Sequence, residues 1–265
     1  LDPDVPLKDS GVEWLGEVPA HWDVKKVKHL SDRAYKTFVD GDWIESPFIT
    51  SEGIRLIQTG NIGVGEYREK GYRYINEKTF EEFGCTEFRP GDILICRLGD
   101  PVARACLAPD LGKRMITSVD VCILKPNDAV HRSYVVYTMS SPRYLDWVGS
   151  LVRGSKRDRV SRSMLGSFSI PVPPVIEQAA IVDHLDEATP DIDTAITQAS
   201  NEITLLTEYR SRLTADVVTG KLDVREAAAR LPEVDPLAAD DAPDNLDVEP
   251  DSELDELAGV EVEAS

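Results

Sequence analysis

The residues with the clearest chemical potential form one short basic segment, residues 153–162. Its sequence, Arg-Gly-Ser-Lys-Arg-Asp-Arg-Val-Ser-Arg, holds five bases and one acid. Arginine and lysine can contact the phosphates of a nucleic acid, serine can add hydrogen bonds, and glycine permits a close backbone approach. A solvated basic loop has the same composition, so that alternative stays open. From this segment we select as candidate DNA contacts Arg153, Ser155, Lys156, Arg157, Arg159 and Arg162.

Two further pairs of basic residues are predicted to lie in loops of the same region. Arg97 and Arg104 flank the turn Gly99-Asp100-Pro101, and Lys113 and Arg114 lie in another loop. Several basic loops on one domain can form a surface that follows the phosphate backbone of a duplex. We therefore add these four residues to the candidate DNA contacts.

The sequence lacks the motifs on which the common kinds of catalysis depend. It contains no Walker A phosphate-binding motif, no H-E-x-x-H zinc motif and no G-x-S-x-G nucleophile motif. The four histidines are scattered, and the spacing of acid and lysine found in metal-dependent nucleases occurs only at Asp23-Val24-Lys25. We therefore expect no catalytic residue, no metal site and no cofactor in this chain.

The acidic charge of the chain is concentrated near its C-terminal end. The 265 residues carry a formal net charge of −19, and residues 231–265 contain 13 Asp and Glu but no Lys or Arg. The rest of the chain holds 35 acids against 29 bases, so the net charge does not exclude a nucleic-acid partner. Residues 231–265 also have too little aromatic and β-branched content to form a core, and we predict that they are a disordered acidic tail.

Cysteine spacing and hydropathy favour a cytoplasmic location. The cysteines at 85, 96, 106 and 122 fit no C-x-x-C or zinc pattern, so we expect free thiols. No run approaches the ~20 apolar residues that a membrane span needs, and the first residues do not resemble a secretory signal. We predict a cytoplasmic protein with no membrane partner.

The candidate residues must be positioned by strands and short helices. Strands are predicted at Ile54–Gln58, Ile93–Arg97, Ala103–Leu107 and Val119–Leu124, and short helices at Glu77–Phe83 and Ser133–Met139. Strands mixed with isolated helices, without strict alternation, predict an α+β domain over residues 10–172. We expect a flexible leader at residues 1–9.

A helical region is predicted over residues 173–230, after the extended proline run Ile170–Pro174. Thr189-Pro190 is a start signal for a long helix that ends at Gly220. Apolar residues recur along it at alternating intervals of four and three, as in a coiled coil. They are Ile192, Ile196, Ala199, Ile203, Leu206, Leu213 and Val217, with Arg210 as the one charged member. Such a narrow seam needs a partner helix, from another chain or elsewhere in this one, although packing on residues 10–172 is an alternative.

Five segments in order resemble the specificity (S) subunits of type I restriction-modification systems. Lys8–Trp22 is similar to the opening of many such subunits, and Ile54–Ile62 and Phe88–Ile95 resemble their target-recognition domain. Ile170–Gln178 resembles the junction into the conserved spacer helix, and Leu213–Val224 is similar to the end of that helix. Within these segments, the further candidate DNA contacts are Thr59 and Asn61.

The resemblance implies a non-catalytic subunit that recognises double-stranded DNA in prokaryotic phage defence. Such a subunit carries an α+β target-recognition domain followed by a long coiled-coil-forming α-helix. It docks methyltransferase (M) subunits, and restriction (R) subunits join in the full complex. Methylation of adenine from S-adenosylmethionine and ATP-driven restriction belong to those partners.

The sequence departs from the family pattern because it predicts one recognition domain and one spacer helix, where S subunits normally have two of each. It could be a natural half-subunit, a truncated product or a fragment. A half-subunit could regain a complete site by forming a homodimer or by pairing with a second S chain. Two alternatives stay open: a metal-dependent nuclease of unfamiliar type, and a coiled-coil assembly protein without sequence-specific DNA contact.

Overall fold

The computed structural model describes residues 5–31, 36–152 and 158–229. Three predicted segments fall wholly or partly outside the described residues. They are residues 1–4 of the leader, residues 153–157 of the basic segment and the acidic tail at residues 231–265. The chain divides into two compact units, the first ending at Asp193 and the second beginning at Thr194.

The described part of the first unit is built from eleven short strands and five complete helices. The strands are β1 (Leu7–Asp9), β2 (Glu17–Pro19), β3 (Asp23–Lys26), β4 (Phe38–Asp40), β5 (Ile54–Ile57), β6 (Tyr74–Ile75), β7 (Ile93–Cys96), β8 (Ala105–Leu107), β9 (Met115–Thr117), β10 (Val121–Leu124) and β11 (Ser169–Val172). The helices are α1 (Glu77–Phe83), α2 (Arg132–Ser140), α3 (Pro142–Val152), α4 (Arg162–Ser167) and α5 (Val175–Ala188). Short 3-10 turns lie at Val27–His29, Ser46–Phe48 and Thr59–Asn61.

The strands form four sheets. The largest is antiparallel and has the order β4-β10-β7-β8, and a second has the order β6-β5-β9, with β5 parallel to β9. Two small sheets pair β1 with β2 and β3 with β11.

The four-stranded sheet is buried on both faces. Ile93 and Ile95 of β7 belong to a core shared with α2, α3 and α5, whereas Leu94 and Cys96 face the three-stranded sheet. Because successive strand residues point to opposite faces, this double burial explains why the central strands read as continuous apolar runs. The three-stranded sheet is covered in turn by α1, where Phe80 packs against a third cluster. The predicted α+β architecture is confirmed.

The predicted leader and the predicted boundary at residue 172 differ from the structure. Leu7–Asp9 is not a loose leader but pairs as β1 with Glu17–Pro19. Helix α5 belongs to the first unit, because Val182 lies in its largest core and the amide of Gln178 is fully buried. Gln178 accepts a hydrogen bond of 2.7 Å from His131 N and donates one of 2.7 Å to Pro173 O.

Helix α6 spans Pro190–Val218, close to its predicted bounds, and α7 spans Arg225–Ala228. None of the 29 residues of α6 is buried. The seam residues Ile192, Ile196, Ile203, Leu206 and Leu213 are exposed, and Val217 is half-buried. The predicted long C-terminal helix is therefore present, with its apolar seam open in the single chain.

All four cysteines are buried free thiols, as predicted. Within the described ranges, no helix combines the length and apolar character needed to cross a membrane.

Candidate nucleic-acid interface

Loops that are distant in sequence meet at one end of the two main sheets, which we call the loop end. It consists of residues 40–43, 58–61, 97–104, 118–120 and 158–162. Backbone hydrogen bonds join these loops: Ser118 N donates to Ile57 O at 2.9 Å, and Gly41 N donates to Val121 O at 2.9 Å. The bond from Gly99 N to Asp158 O measures 3.0 Å. The loop end therefore gathers most of the described candidate residues.

Arg97 is a structural residue of the loop end and does not face solvent. Its side chain is only 5% exposed, and its Nε lies 2.8 Å from Oδ1 of Asp40. Its other nitrogens donate to Val160 O at 2.9 Å and Val119 O at 2.7 Å. The prediction that Arg97 contacts DNA is therefore corrected, because its donors already connect three loops.

Arg104 has a similar buried role. Its Nε donates to Ile62 O at 2.6 Å, and its terminal nitrogens donate to Pro101 O at 3.0 Å and Thr59 O at 3.3 Å. Buried arginine needs such a complete set of acceptors, since an unpaired charge in the interior is costly. Arg104 thus fixes the turn Gly99-Asp100-Pro101 against the loop after β5, and the prediction of a direct DNA contact is corrected for this residue too.

Thr59 and Asn61 form the 3-10 turn that follows β5, and Asn61 is buried. The Asn61 side-chain oxygen accepts from Gln58 N at 2.9 Å. Its amide nitrogen donates to Arg68 O at 2.9 Å and to Lys70 O at 2.6 Å. Asn61 is therefore a positioning residue with no spare donor for DNA, whereas Thr59 is half-buried within the loop end.

Arg159 and Arg162 are the basic residues of residues 153–162 that the structure describes, and both reach the surface. Each has about half of its side chain exposed. Arg159 Nη2 lies 2.8 Å from Asp120 Oδ1, and Arg162 Nε lies 3.3 Å from Asp40 Oδ2. Asp40 and Asp120 thus link the buried Arg97 to the two exposed arginines, since Arg97 Nη2 also lies 3.7 Å from Asp120.

This network joins three guanidinium groups to two carboxylates, and the loop end as a whole also contains Asp42, Asp100 and Asp158. The two aspartates bind the guanidinium groups of Arg159 and Arg162, and about half of each arginine side chain stays open to solvent. Such an arrangement can bind an anionic backbone. Sequence reasoning missed Asp40 and Asp120, since their partners are distant in the chain.

Lys113 and Arg114 lie elsewhere, because they precede β9 while the loop end follows it. Arg114 forms ion pairs of 2.7 Å with Glu77 and 2.9 Å with Glu87, and these carboxylates raise the pKa of its guanidinium. Lys113 Nζ lies 5.1 Å from the ring centroid of Tyr74. The structure therefore does not bring these two candidates to the loop end, and the charge of Arg114 is already compensated.

Asp42 joins the loop end to the segment between α1 and β7. Its backbone N donates to Thr117 O at 2.8 Å, and its Oδ2 accepts from Thr86 N at 2.8 Å. Burial raises the pKa of the Asp42 carboxyl, although the hydrogen bond from Thr86 opposes that rise. Next to it, Trp43 presents a largely exposed indole.

A second group missed from the sequence is Arg55 with the loop at residues 67–74. The loop reads Tyr-Arg-Glu-Lys-Gly-Tyr-Arg-Tyr, and its interleaved aromatic and basic residues were the available signal.

No group of three or more His, Cys, Asp or Glu in the described part of the chain is arranged to hold a metal ion.

Comparison with known proteins relates the chain to one kind of subunit. It is 20% identical over 217 residues to the type I restriction enzyme MjaVIII specificity subunit of Methanocaldococcus jannaschii, which covers 80% of this chain and 48% of that protein. No protein-family model matches the chain.

Two solved structures share the fold. The HsdS subunit from Thermoanaerobacter tengcongensis matches with a TM-score of 0.51 and 20% identity, over 73% of this chain and 42% of that one. A chain from a structure of type I R-M system assembly and conformational transition matches with a TM-score of 0.56 and 17% identity, over 77% and 47%.

The chain spans about half the length of the curated relatives it matches. Its ordered motifs and its curated relatives indicate the same kind of protein, and the solved structures share its fold. The chain is a homologue of the specificity subunits of type I restriction enzymes.

Proposed function

We propose that this chain is a DNA-binding specificity subunit that recognises one half of a gapped site for a type I restriction-modification complex. The observation that carries the proposal is the likeness to a curated specificity subunit over 80% of the chain. The loop end supports it, because it presents Arg159 and Arg162 on a rigid base.

The proposed DNA contact is mainly electrostatic at the loop end. Arg159 and Arg162 contact phosphates, and each neutralised phosphate releases condensed counterions from the duplex. Arg153, Ser155, Lys156 and Arg157 immediately precede this loop in sequence and remain candidate contacts. Arg97, Arg104 and Asn61 position the loops from within.

The chain itself is proposed to be non-catalytic, with methyltransferase subunits and, in the full complex, restriction subunits as its partners. In this account it supplies the DNA sequence preference while those partners supply the chemistry. The proposed division of labour needs no cofactor on this chain, and its proposed location is the cytoplasm.

The open seam of α6 favours a second helix as a further partner. In proteins most helix stability comes from packing of an apolar face. In addition, several hydroxyls of α6, including those of Thr207 and Thr214, donate back to the carbonyl four residues earlier. Such back-bonding slightly destabilises a helix. We propose that the seam forms an antiparallel coiled coil with a second copy of this chain or with another S chain.

The length of α6 gives the proposed site its gap. A helix of 29 residues extends ~44 Å at about 1.5 Å per residue. One turn of a DNA duplex measures about 34–36 Å. Recognition units at the two ends of such a spacer would therefore read two groups of base pairs separated by unread ones. Two identical chains would make the site palindromic.

A selection experiment with the whole chain tests the proposal. A labelled pool of random duplexes is titrated with protein, and bound duplexes are enriched over several rounds and sequenced. The proposal predicts enrichment of a defined motif and no cleavage with Mg²⁺. Binding without any enriched motif would favour an assembly protein, and Mg²⁺-dependent cleavage by the purified chain would favour a nuclease.

A further inference from the structure

The backbone of the loop between β5 and β6 is held by a buried arginine side chain. We call residues Arg68–Arg73 the Arg55 loop, because the side chain of Arg55 lies beneath them. Arg55 is only 1% exposed. Its Nη1 donates to Gly71 O at 2.8 Å and Arg73 O at 3.1 Å, and its Nη2 donates to Lys70 O at 3.1 Å. The guanidinium thus fixes the backbone of the loop.

Asn61 holds the first part of the same loop. Its amide nitrogen donates to the carbonyls of Arg68 and Lys70. Together, the buried side chains of Arg55 and Asn61 donate to four carbonyls of the loop. They are those of Arg68, Lys70, Gly71 and Arg73. An irregular segment supported in this way is preorganised, so it loses little conformational freedom when it binds a partner.

The charge of Arg55 is also compensated within the loop. Its Nη2 lies 3.5 Å from Oε1 of Glu69, and its guanidinium carbon lies 5.6 Å from the ring centroids of Tyr72 and Tyr74. Burying a guanidinium is costly unless its donors are satisfied. Here the terminal nitrogens Nη1 and Nη2 hold the backbone of one surface loop, whereas the buried Nε has no hydrogen-bond partner among the described residues.

The outer side of the loop carries groups that suit a duplex. Tyr72 is 64% exposed, and Arg68 and Lys70 also have exposed side chains. The loop adjoins the loop end, because a Cβ added to Gly60 would lie 3.2 Å from Cε of Lys70. It therefore borders residues 58–61 of the loop end.

We propose that the Arg55 loop enters a groove of the bound DNA and determines part of the recognised sequence, with Lys70 and Tyr72 contacting base edges. The inference rests on the proposed function and deepens it. Phosphate contacts fix the position of a protein on DNA, whereas sequence is read by groups held at base edges. A preorganised loop with an exposed phenol and an ammonium group meets that second requirement.

Selection from a randomised duplex pool tests this assignment with the full-length chain. The variants are Tyr72→Ala and Lys70→Ala, and the matched control is Lys8→Ala, an exposed lysine on β1. The two loop variants are expected to lose preference at one or two positions of the enriched motif by about tenfold, as one lost base contact implies. Lys8→Ala is expected to enrich the unchanged motif.

Two outcomes would contradict the inference, and they differ from each other. If both loop variants enrich the same motif with unchanged preferences, the Arg55 loop does not read bases, while the proposed function stands. If the unmutated chain enriches no motif, the proposed function fails and the inference fails with it. Melting temperatures within about 2 °C of the unmutated chain, expected for exposed residues, show that altered preference is not loss of folding.

The role of Arg55 as a positioning residue has its own readout. Arg55→Lys keeps the positive charge but lacks the planar fork of donors. It is expected to lose the same base preferences as Tyr72→Ala while keeping the salt dependence of binding. An unchanged motif for Arg55→Lys would show that the guanidinium does not shape the reading surface.

Discussion

The indole Nε1 of Trp22 donates a hydrogen bond of 2.9 Å to Oε2 of Glu177, which lies 155 residues further along the chain. His21 Nε2 lies 2.8 Å from the other carboxylate oxygen. The opening segment and the segment that leads into α5 thus meet at one carboxylate. Two of the motifs that suggested the family therefore hold the beginning of the first unit to α5.

The first prediction concerns the pH dependence of this contact. The hydrogen bond from Trp22, and then the one from His21, lowers the pKa of Glu177 from its ordinary 4.5. Its carboxylate therefore stabilises the fold above pH 4.5, and this contribution is lost as the pH falls through the lowered native pKa. Glu177→Gln should cost about 1 kcal/mol at pH 7, and the difference from the unmutated chain should shrink in acid. Urea unfolding across this pH range measures both.

Glu187→Gln is the matched control, because Glu187 is an exposed carboxylate on the same helix. It should change the unfolding free energy by less than about 0.5 kcal/mol. A Glu177→Gln protein as stable as the unmutated chain at pH 7 would show that the contact does not stabilise the fold.

The second prediction separates a structural arginine from a binding one. Arg97→Met leaves the carboxylates of Asp40 and Asp120 without their buried partner, and breaking a buried pair costs about 3–5 kcal/mol. Chemical denaturation should show this loss, whereas Arg143→Met, at an exposed position of α3, should have little effect. A cost below about 1 kcal/mol for Arg97→Met would contradict its role in holding the loops.

The third prediction concerns the exposed arginines of the loop end. Arg159→Ala and Arg162→Ala should each reduce the slope of log K against log salt by about one unit, because each loses one phosphate contact. Arg114→Ala is the control, since that guanidinium lies at the other end of β9 and is paired with Glu77 and Glu87. If the slopes for Arg159→Ala and Arg162→Ala equal the slope for the control Arg114→Ala, the loop end does not contact the phosphates.

Removing the negative charge beside Arg159 should have the opposite effect on DNA binding. Asp120→Asn removes a carboxylate 2.8 Å from Arg159 and so leaves more positive charge for DNA. Binding at low salt should become tighter by a few fold, as expected for one rim charge. Weaker binding would show that Asp120 is needed to position Arg159.

The fourth prediction concerns the seam of α6. Leu206→Asp or Leu213→Asp should abolish a helix pair, because a charge would be buried in the seam. Leu205→Asp is the matched control, since Leu205 is exposed on α6 but lies outside the apolar repeat. Light scattering measures the mass of each variant. A monomeric unmutated chain, with and without the proposed methyltransferase partner, would contradict the proposed coiled coil.

Sequence patterns predicted the central strands well because those strands are buried on both faces. Ile93–Cys96 and Val121–Leu124 read as apolar runs for that reason. The pairing of β3 with β11 was missed, since Asp23–Lys26 is polar and its partner lies about 145 residues away. Helix α3 was also missed, although Ser141-Pro142 is a recognisable start signal.

The candidate site was only partly predictable, because charge alone does not reveal burial. Arg97 and Arg104 lie within the loop end, but the prediction that they contact DNA did not account for their burial. Their acceptors are backbone carbonyls of other loops, such as Val160 O and Ile62 O, and sequence order gives no sign of those contacts. Arg55 was not selected as a candidate, because it lies inside an apolar strand pattern at Ile54–Ile57.

The measurement that tests the account most directly is a map of methylated adenines in a genome that carries this gene and the gene of the proposed methyltransferase partner. The account predicts a motif of two short parts separated by a constant gap of unread base pairs. Pairing of two identical chains predicts that the two parts are inverted copies of each other. A short continuous motif without a gap, or methylation that does not depend on this gene, would contradict the account.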